Sequence, residues 1–261
     1  MISIKRKFGR TNEMKNALSK IPEVTLGFWI IKIFATTVGE TGGDAVSMSM
    51  DLGYLVGTLI FMSIFVAAVV AQIKAKRFYP FLYWFTIIAS TTVGTTLADF
   101  ATRSLSLGYT GGTAILALLL IGSLLVWHRV LGSVAIDTVG SPKSEFFYWL
   151  TIMFSQTLGT ALGDWTADTA DLGYLGGAAI FSALLLLVVA AYLFSKVSRT
   201  VLFWIAFVLT RPLGAVAGDY LDKPVTMGGL EISRYSATAT LIALIVTCIV
   251  IFPQRAAAKA H

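Results

Sequence analysis

Four aspartates occupy equivalent places in this 261-residue chain: Asp44, Asp99, Asp164 and Asp219. Each lies fifteen residues beyond a tryptophan that itself follows an aromatic residue, the four being Trp29, Trp84, Trp149 and Trp204. Other polar side chains recur seven, eleven and eighteen or nineteen residues beyond the same tryptophans. Copy 1 carries Thr36, Glu40, Asp44 and Ser47, and copy 2 carries Thr91, Thr95, Asp99 and Thr102. Copy 3 carries Gln156, Thr160, Asp164 and Asp168, and copy 4 carries Arg211, Asp219 and Asp222, with Ala215 at the eleventh place. Steps of three and four put each set on one face of a helix. Carboxylates flanked by hydroxyl and amide oxygens are the groups that hold a hard cation or exchange a proton. The candidate metal ligands are therefore Glu40, Asp44, Asp99, Asp164 and Asp219. Thr36, Thr95, Gln156, Thr160, Asp168, Arg211 and Asp222 are the candidate substrate contacts.

The elements that position these residues form an internal repeat, read before any fold is assigned. A glycine stands ten residues after every tryptophan, and Gly53-Tyr54, Gly108-Tyr109 and Gly173-Tyr174 recur further on, with Gly228 at that offset in copy 4. Gly39/Gly43, Gly159/Gly163, Gly214/Gly218 and Gly94/Ala98 are small-xxx-small pairs suited to close helix packing.

Composition says where such helices lie. The chain is 56% hydrophobic and 13% charged, with a mean hydropathy of +0.79. Soluble domains carry about 25% charged residues. Apolar runs of about twenty residues predict an all-α integral membrane protein. The spans expected are 25–47, 54–73, 81–102, 109–128, 146–167, 174–195, 200–221 and 235–252. They divide into repeats at 25–74, 80–128, 146–196 and 200–252, with a loop over 129–145 between halves. A basic arm over 1–24 precedes them and a tail over 253–261 follows. The arm lacks a long apolar core and does not read as a signal peptide.

Eight transmembrane helices in four two-helix repeats all start from one side, so the repeats are parallel about an axis normal to the membrane. The architecture expected is pseudo-fourfold, or two pseudo-twofold halves, with the odd helices lining the middle. The net charge of +6 gathers between repeats and at the ends, the positive-inside pattern, with both termini cytoplasmic in a bacterial inner membrane. That distribution excludes nucleic acid as a partner. The partners expected are membrane lipid and a small inorganic cation or proton; the sequence allows a homo-oligomer.

Depth makes the carboxylates notable. At 1.5 Å per residue the repeat aspartate lies about 22 Å from its tryptophan. With the tryptophan at one face of a core about 30 Å thick, the aspartates stop about 8 Å short of the other. An unpaired carboxylate there costs on the order of 3 kcal/mol. Against Glu40 and the four aspartates the reading finds one deep base, Arg211, so either some acids hold protons or a cation sits among them. Lys32 is expected to snorkel to the interface, Pro212 to kink or break the seventh helix, and Asp51 and Asp171 to cap the helices after them.

These residues also resemble a known family. Ile21-Pro22-Glu23-Val24-Thr25 leading into Phe28-Trp29-Ile30-Ile31-Lys32, with Thr36-Thr37-Val38-Gly39-Glu40-Thr41 and Asp44, is similar to the first copy in bacterial multi-pass proteins catalogued as a repeat of unknown function. Arg211-Pro212-Leu213-Gly214, Gly218-Asp219-Tyr220-Leu221, Lys223-Pro224 and Gly228-Gly229-Leu230 resemble its last copy. The resemblance spans about residues 18 to 251 and implies a four-repeat membrane architecture without an activity.

Function therefore rests on the polar faces. The leading expectation is a cation transporter or exporter, for a metal ion or a proton-coupled solute. Oxygen ligands without thiolate or imidazole favour magnesium, calcium or manganese over copper or zinc. The alternative is a structural or sensory membrane protein in which Asp–Arg and Asp–Thr bonds, Arg211 with Asp219 among them, hold the bundle. An enzyme is not expected: the chain shows no nucleotide loop, metal-ligand motif or nucleophile constellation, and no cofactor beyond a bound cation. Cys248 is a single thiol inside the last apolar run.

Overall fold

The computed structural model describes residues 20–257. The basic arm expected over 1–24 lies outside the described residues up to position 19, as does the tail from position 258 on. Within the described residues the chain is helical: α1 (Leu26–Asp44), α2 (Gly53–Lys74), α3 (Pro80–Asp99), α4 (Gly108–Leu131), α5 (Pro142–Asp164), α6 (Gly173–Phe194), α7 (Arg199–Asp222) and α8 (Arg234–Ile251).

Local chemistry fixes the ends. Thr25 caps α1 by accepting from the Phe28 N–H, and α3 and α5 begin with Pro80 and Pro142, whose missing N–H is not needed there. Ser141 and Ser144 form a reciprocal capping box at the start of α5. Gly132, at φ 76°, ends α4, and the connection to α5 is confined to 132–141, shorter than the 129–145 expected. Asp51 and Asp171 are not caps. They sit in the left-handed region at φ 56° and 55°, and Leu52 and Leu172 take the cap positions without a side-chain bond. Pro212 does not break α7, which runs through it. The first three odd helices instead end in a wide π-turn, at Ala45–Ser49, Phe100–Ser104 and Trp165–Thr169.

The odd helices α1, α3, α5 and α7 form a closed ring, each packed on its two neighbours. Glycines set the spacing. A Cβ on Gly39 would strike Thr91, on Gly94 Gln156, on Gly159 Arg211, and on Gly214 Thr36. In each case the tenth-place glycine of one copy seats the seventh-place side chain of the next, and copy 4 closes on copy 1. The interior is thus fourfold down to single residues. The even helices lie outside, and each packs on the odd helix of the following repeat: α2 on α3, α4 on α5, α6 on α7, α8 on α1. The chain ends lock the closure, for Glu23 N–H donates to Arg255 O and Ala257 N–H to Ile21 O.

Among the described residues, six helices are long and apolar enough to cross a membrane: α2, α3 with its π-turn, α4, α6, α7 and α8. α1 and α5 are not in that set. Polar side chains set the other two apart, Lys32, Glu40 and Asp44 on α1 and Lys143, Glu145, Gln156 and Asp164 on α5, so composition alone supports six of the eight spans expected. Both lie in the ring, enclosed by the apolar helices. The even helices turn large side chains outward, such as Leu118, Leu186, Leu187 and Val250.

The two ends of the ring differ. At the tryptophan end, Phe28, Tyr83, Trp84, Tyr148, Trp149, Phe203 and Trp204 pack ring against ring, and the Tyr83 and Tyr148 hydroxyls bond at 2.7 Å. Edge-to-face pairs of this kind each add about 0.5–1.5 kcal/mol beyond their burial. The other end carries the acids.

Candidate functional site

The side chains eleven residues past the tryptophans meet in one layer. Arg211, fully buried, rises from the seventh place of copy 4 and fills the position where Ala215 offers no polar atom. Its Nη2 donates toward Glu40 Oε2 at 3.0 Å and Thr95 Oγ1 at 2.6 Å, and also reaches Thr160 Oγ1; Nη1 reaches Thr36 O at 3.4 Å. Copies 1, 2 and 3 thus each give an eleventh-place oxygen to a cation supplied by copy 4. Burying a charge is tolerable only with such pairing and hydrogen bonding. Arg211 pairs with Glu40 and not with Asp219, the partner expected from sequence.

One turn further, the repeat aspartates divide in two. Arg103 Nε contacts Asp99 Oδ1 at 2.9 Å and its Nη2 lies 3.6 Å from Asp164 Oδ2. Lys223 Nζ donates to Asp44 Oδ2 at 2.5 Å and lies 3.0 Å from Asp219 Oδ1. Arg103 and Lys223 each stand nineteen residues past their tryptophan, and each bridges its own aspartate to that of the following copy. Charge therefore has twofold symmetry on a fourfold ring. Burial acts to lower the Lys223 pKa, but Asp219, Asp44 and Asp222 outweigh it and raise it well above the ordinary lysine value. Lys223 therefore stays protonated at neutral pH. Arg234 adds a bond to Asp222 at 2.8 Å and approaches Asp44 at 3.8 Å.

These bases revise the sequence reading, which set one deep base, Arg211, against the acids and left the remainder to protons or a foreign cation. The chain supplies its own at Arg103, Lys223 and Arg234. The sequence carries the signal: Arg103 and Lys223 stand at the same nineteen-residue offset as Asp168. Lys32 is a second correction. It does not snorkel; it is fully buried, with Nζ 3.4 Å from Thr210 Oγ1 and 4.1 Å from the Phe207 ring centre.

The expected metal ligands do not form one site. One ligand atom each from Glu40, Asp44 and Asp219 lies within 4.8 Å of the others, all three residues buried. Asp99 and Asp164 belong to the Arg103 side. Among the expected substrate contacts, Thr95, Thr160 and Arg211 share a layer with Glu40. Thr36 spends its hydroxyl on backbone carbonyls, Ile33 O at 2.8 Å among them. Asp168 is exposed and accepts from the Tyr109 hydroxyl at 3.2 Å, so it stays outside the cluster. Asp222 is held by Arg234 at the acidic end. Gln156 is fully buried, and neither end of its amide finds a partner among the described residues.

No curated protein and no solved structure matches the chain. A family described as a Repeat of Unknown Function matches at residues 27–78, 82–132, 147–198 and 202–253, the four copies described above. With nearly the whole helical region so matched, the chain belongs to the Repeat of Unknown Function family.

Proposed function

We propose that the protein is a multi-pass membrane transporter or exporter that moves a hard cation, or a proton-coupled solute, through the carboxylate cluster of Glu40, Asp44 and Asp219. All eight helices span the bilayer, with α1 and α5 shielded by the rest, and both termini face the cytoplasm of a bacterial inner membrane. The observation that carries this reading is an imbalance of buried charge. Around the acidic end of the ring, six buried acids, Glu40, Asp44, Asp99, Asp164, Asp219 and Asp222, face four ion-paired bases, Arg103, Arg211, Lys223 and Arg234, and Lys32 is a fifth base, fully buried nearer the tryptophans. Even with Lys32 counted, one negative charge in a low-dielectric interior is left over and calls for a proton or a bound cation. Lys223 occupies the seat between Asp44 and Asp219 as a tethered cation, and an arriving ion competes with it. When its ammonium withdraws, three carboxylates within 4.8 Å are left, a set of oxygens that fits magnesium, calcium or manganese.

The test is thermal stability of the purified protein across mono- and divalent cations and pH. A selective rise in melting temperature, abolished in Asp219→Asn, is expected. Flat curves with every ion at every pH would end the transport reading.

A second reading draws on the ion pairs themselves. Each repeat aspartate has a basic partner within 4.0 Å, as structural glue requires. It predicts that Arg211→Met with Glu40→Gln is milder than Arg211→Met alone, because the double change strands no charge, and that no ion alters stability.

A further inference from the structure

Each outer helix of copies 1 and 2, and the end of copy 4, reaches the tryptophan two copies on. Phe65 packs on Trp149 with centroids 6.4 Å apart, Trp127 on Trp204 at 5.8 Å, and Gln254 Oε1 accepts from Trp84 Nε1 at 3.1 Å. Copy 3 breaks the pattern. Its counterparts of Phe65 and Trp127 are Leu185 and Tyr192, and the tryptophan two copies on is Trp29. Leu185 and Tyr192 from α6 and Trp29 from α1 instead line a cavity of about 590 Å³ beside α7, with Phe203 and Thr210. Small-molecule sites run about 300–1,000 Å³.

The cavity meets the outer surface at Leu26, Leu193 and Tyr192, which are exposed. Its walls are mostly apolar, with Thr25, Thr200 and Thr210 among them, and two opposite charges, Asp137 and Arg199, line it as well. The Arg199 guanidinium lies 3.9 Å over the Tyr192 ring and donates to Tyr192 O, which fixes it beside the opening.

Resting on the reading that the chain spans a bilayer, we propose that this cleft between α6, α7 and α1 binds one phospholipid with a zwitterionic aminoethyl-phosphate headgroup. One acyl chain takes the volume that Phe65 and Trp127 fill in the other copies. The phosphate pairs with Arg199 and the ammonium with Asp137. An apolar cavity facing lipid is filled by lipid, and the two charges choose the headgroup.

The experiment is native mass spectrometry of the full chain after reconstitution in vesicles of equal phosphatidylethanolamine and phosphatidylglycerol, followed by release into detergent. One retained phosphatidylethanolamine per chain is expected, lost in Leu185→Phe with Tyr192→Trp, which installs the side chains of copies 1 and 2. Retention of phosphatidylglycerol instead, or equal retention by the filled variant, overturns the proposal. Should the filled variant not fold, Arg199→Gln with Asp137→Asn tests the same contact. Headgroup selectivity then falls to the bulk ratio, and unchanged selectivity overturns it. A chain that purifies as a monodisperse protein without detergent would instead defeat the membrane reading beneath the proposal.

Discussion

The Arg103 side and the Lys223 side of the acidic ring hold equivalent repeat aspartates by the same rule, yet they differ in exposure and in the base that bridges them. Arg103 spans Asp99 and Asp164 with its side chain about one-third exposed, between the rings of Tyr54 and Tyr109 at 5.9 and 5.8 Å. Lys223 spans Asp44 and Asp219 with only 10% of its side chain exposed, and Glu40 stands within ligand distance of both acids. An arginine fork holds two carboxylates in a fixed geometry, whereas a lysine is a mobile point charge that can leave. Under the transport proposal, the fourfold backbone supports one rigid pair and one exchangeable pair.

Mutations sharpen the contrast in a graded series. The largest effect is expected at the layer beneath both sides. Arg211→Met strands Glu40 and lowers stability by about 3–5 kcal/mol, read by chemical denaturation in detergent, and Glu40→Gln in the same chain restores most of it. On the exchangeable side, Lys223→Met leaves Asp44 and Asp219 without their shared cation and costs about 3 kcal/mol. A saturating divalent cation should recover part of that loss if the cluster takes an ion. On the rigid side, Arg103→Met costs about 1 kcal/mol, because water screens a partly exposed pair, and divalent cations do not restore it. Asp168→Asn, outside the cluster, should shift stability by less than about 0.5 kcal/mol. A larger loss on the Arg103 side than on the Lys223 side would reverse the comparison.

Much of this was legible because an inward polar face leaves a three-and-four periodicity in an apolar background. Asp44, Asp99, Asp164 and Asp219 announce both the repeat and the ring. The outer helices carry no such signal. Apolar nearly all round, they do not record which inner helix they cover, and sequence could not tell that α2 packs on α3. The partners of the acids were hidden for another reason. Arg103 lies in a π-turn and Lys223 just past the end of α7, so both resemble loop bases until the chain turns them back over the ring. Lys32 departs from the sequence expectation because length permits snorkelling, whereas Thr210 and Phe207 on the neighbouring helix hold it inside.

The most direct test of the central claim compares cation-driven flux in proteoliposomes for wild type, Asp219→Asn and Asp164→Asn, each first shown to be folded by its melting curve. The account predicts flux in wild type for a hard divalent cation or against a proton gradient. It predicts complete loss in Asp219→Asn and only partial loss in Asp164→Asn, which lies on the rigid side. Absence of flux in folded wild-type protein, or equal loss in both variants, would contradict it and leave the ring as an ion-paired scaffold.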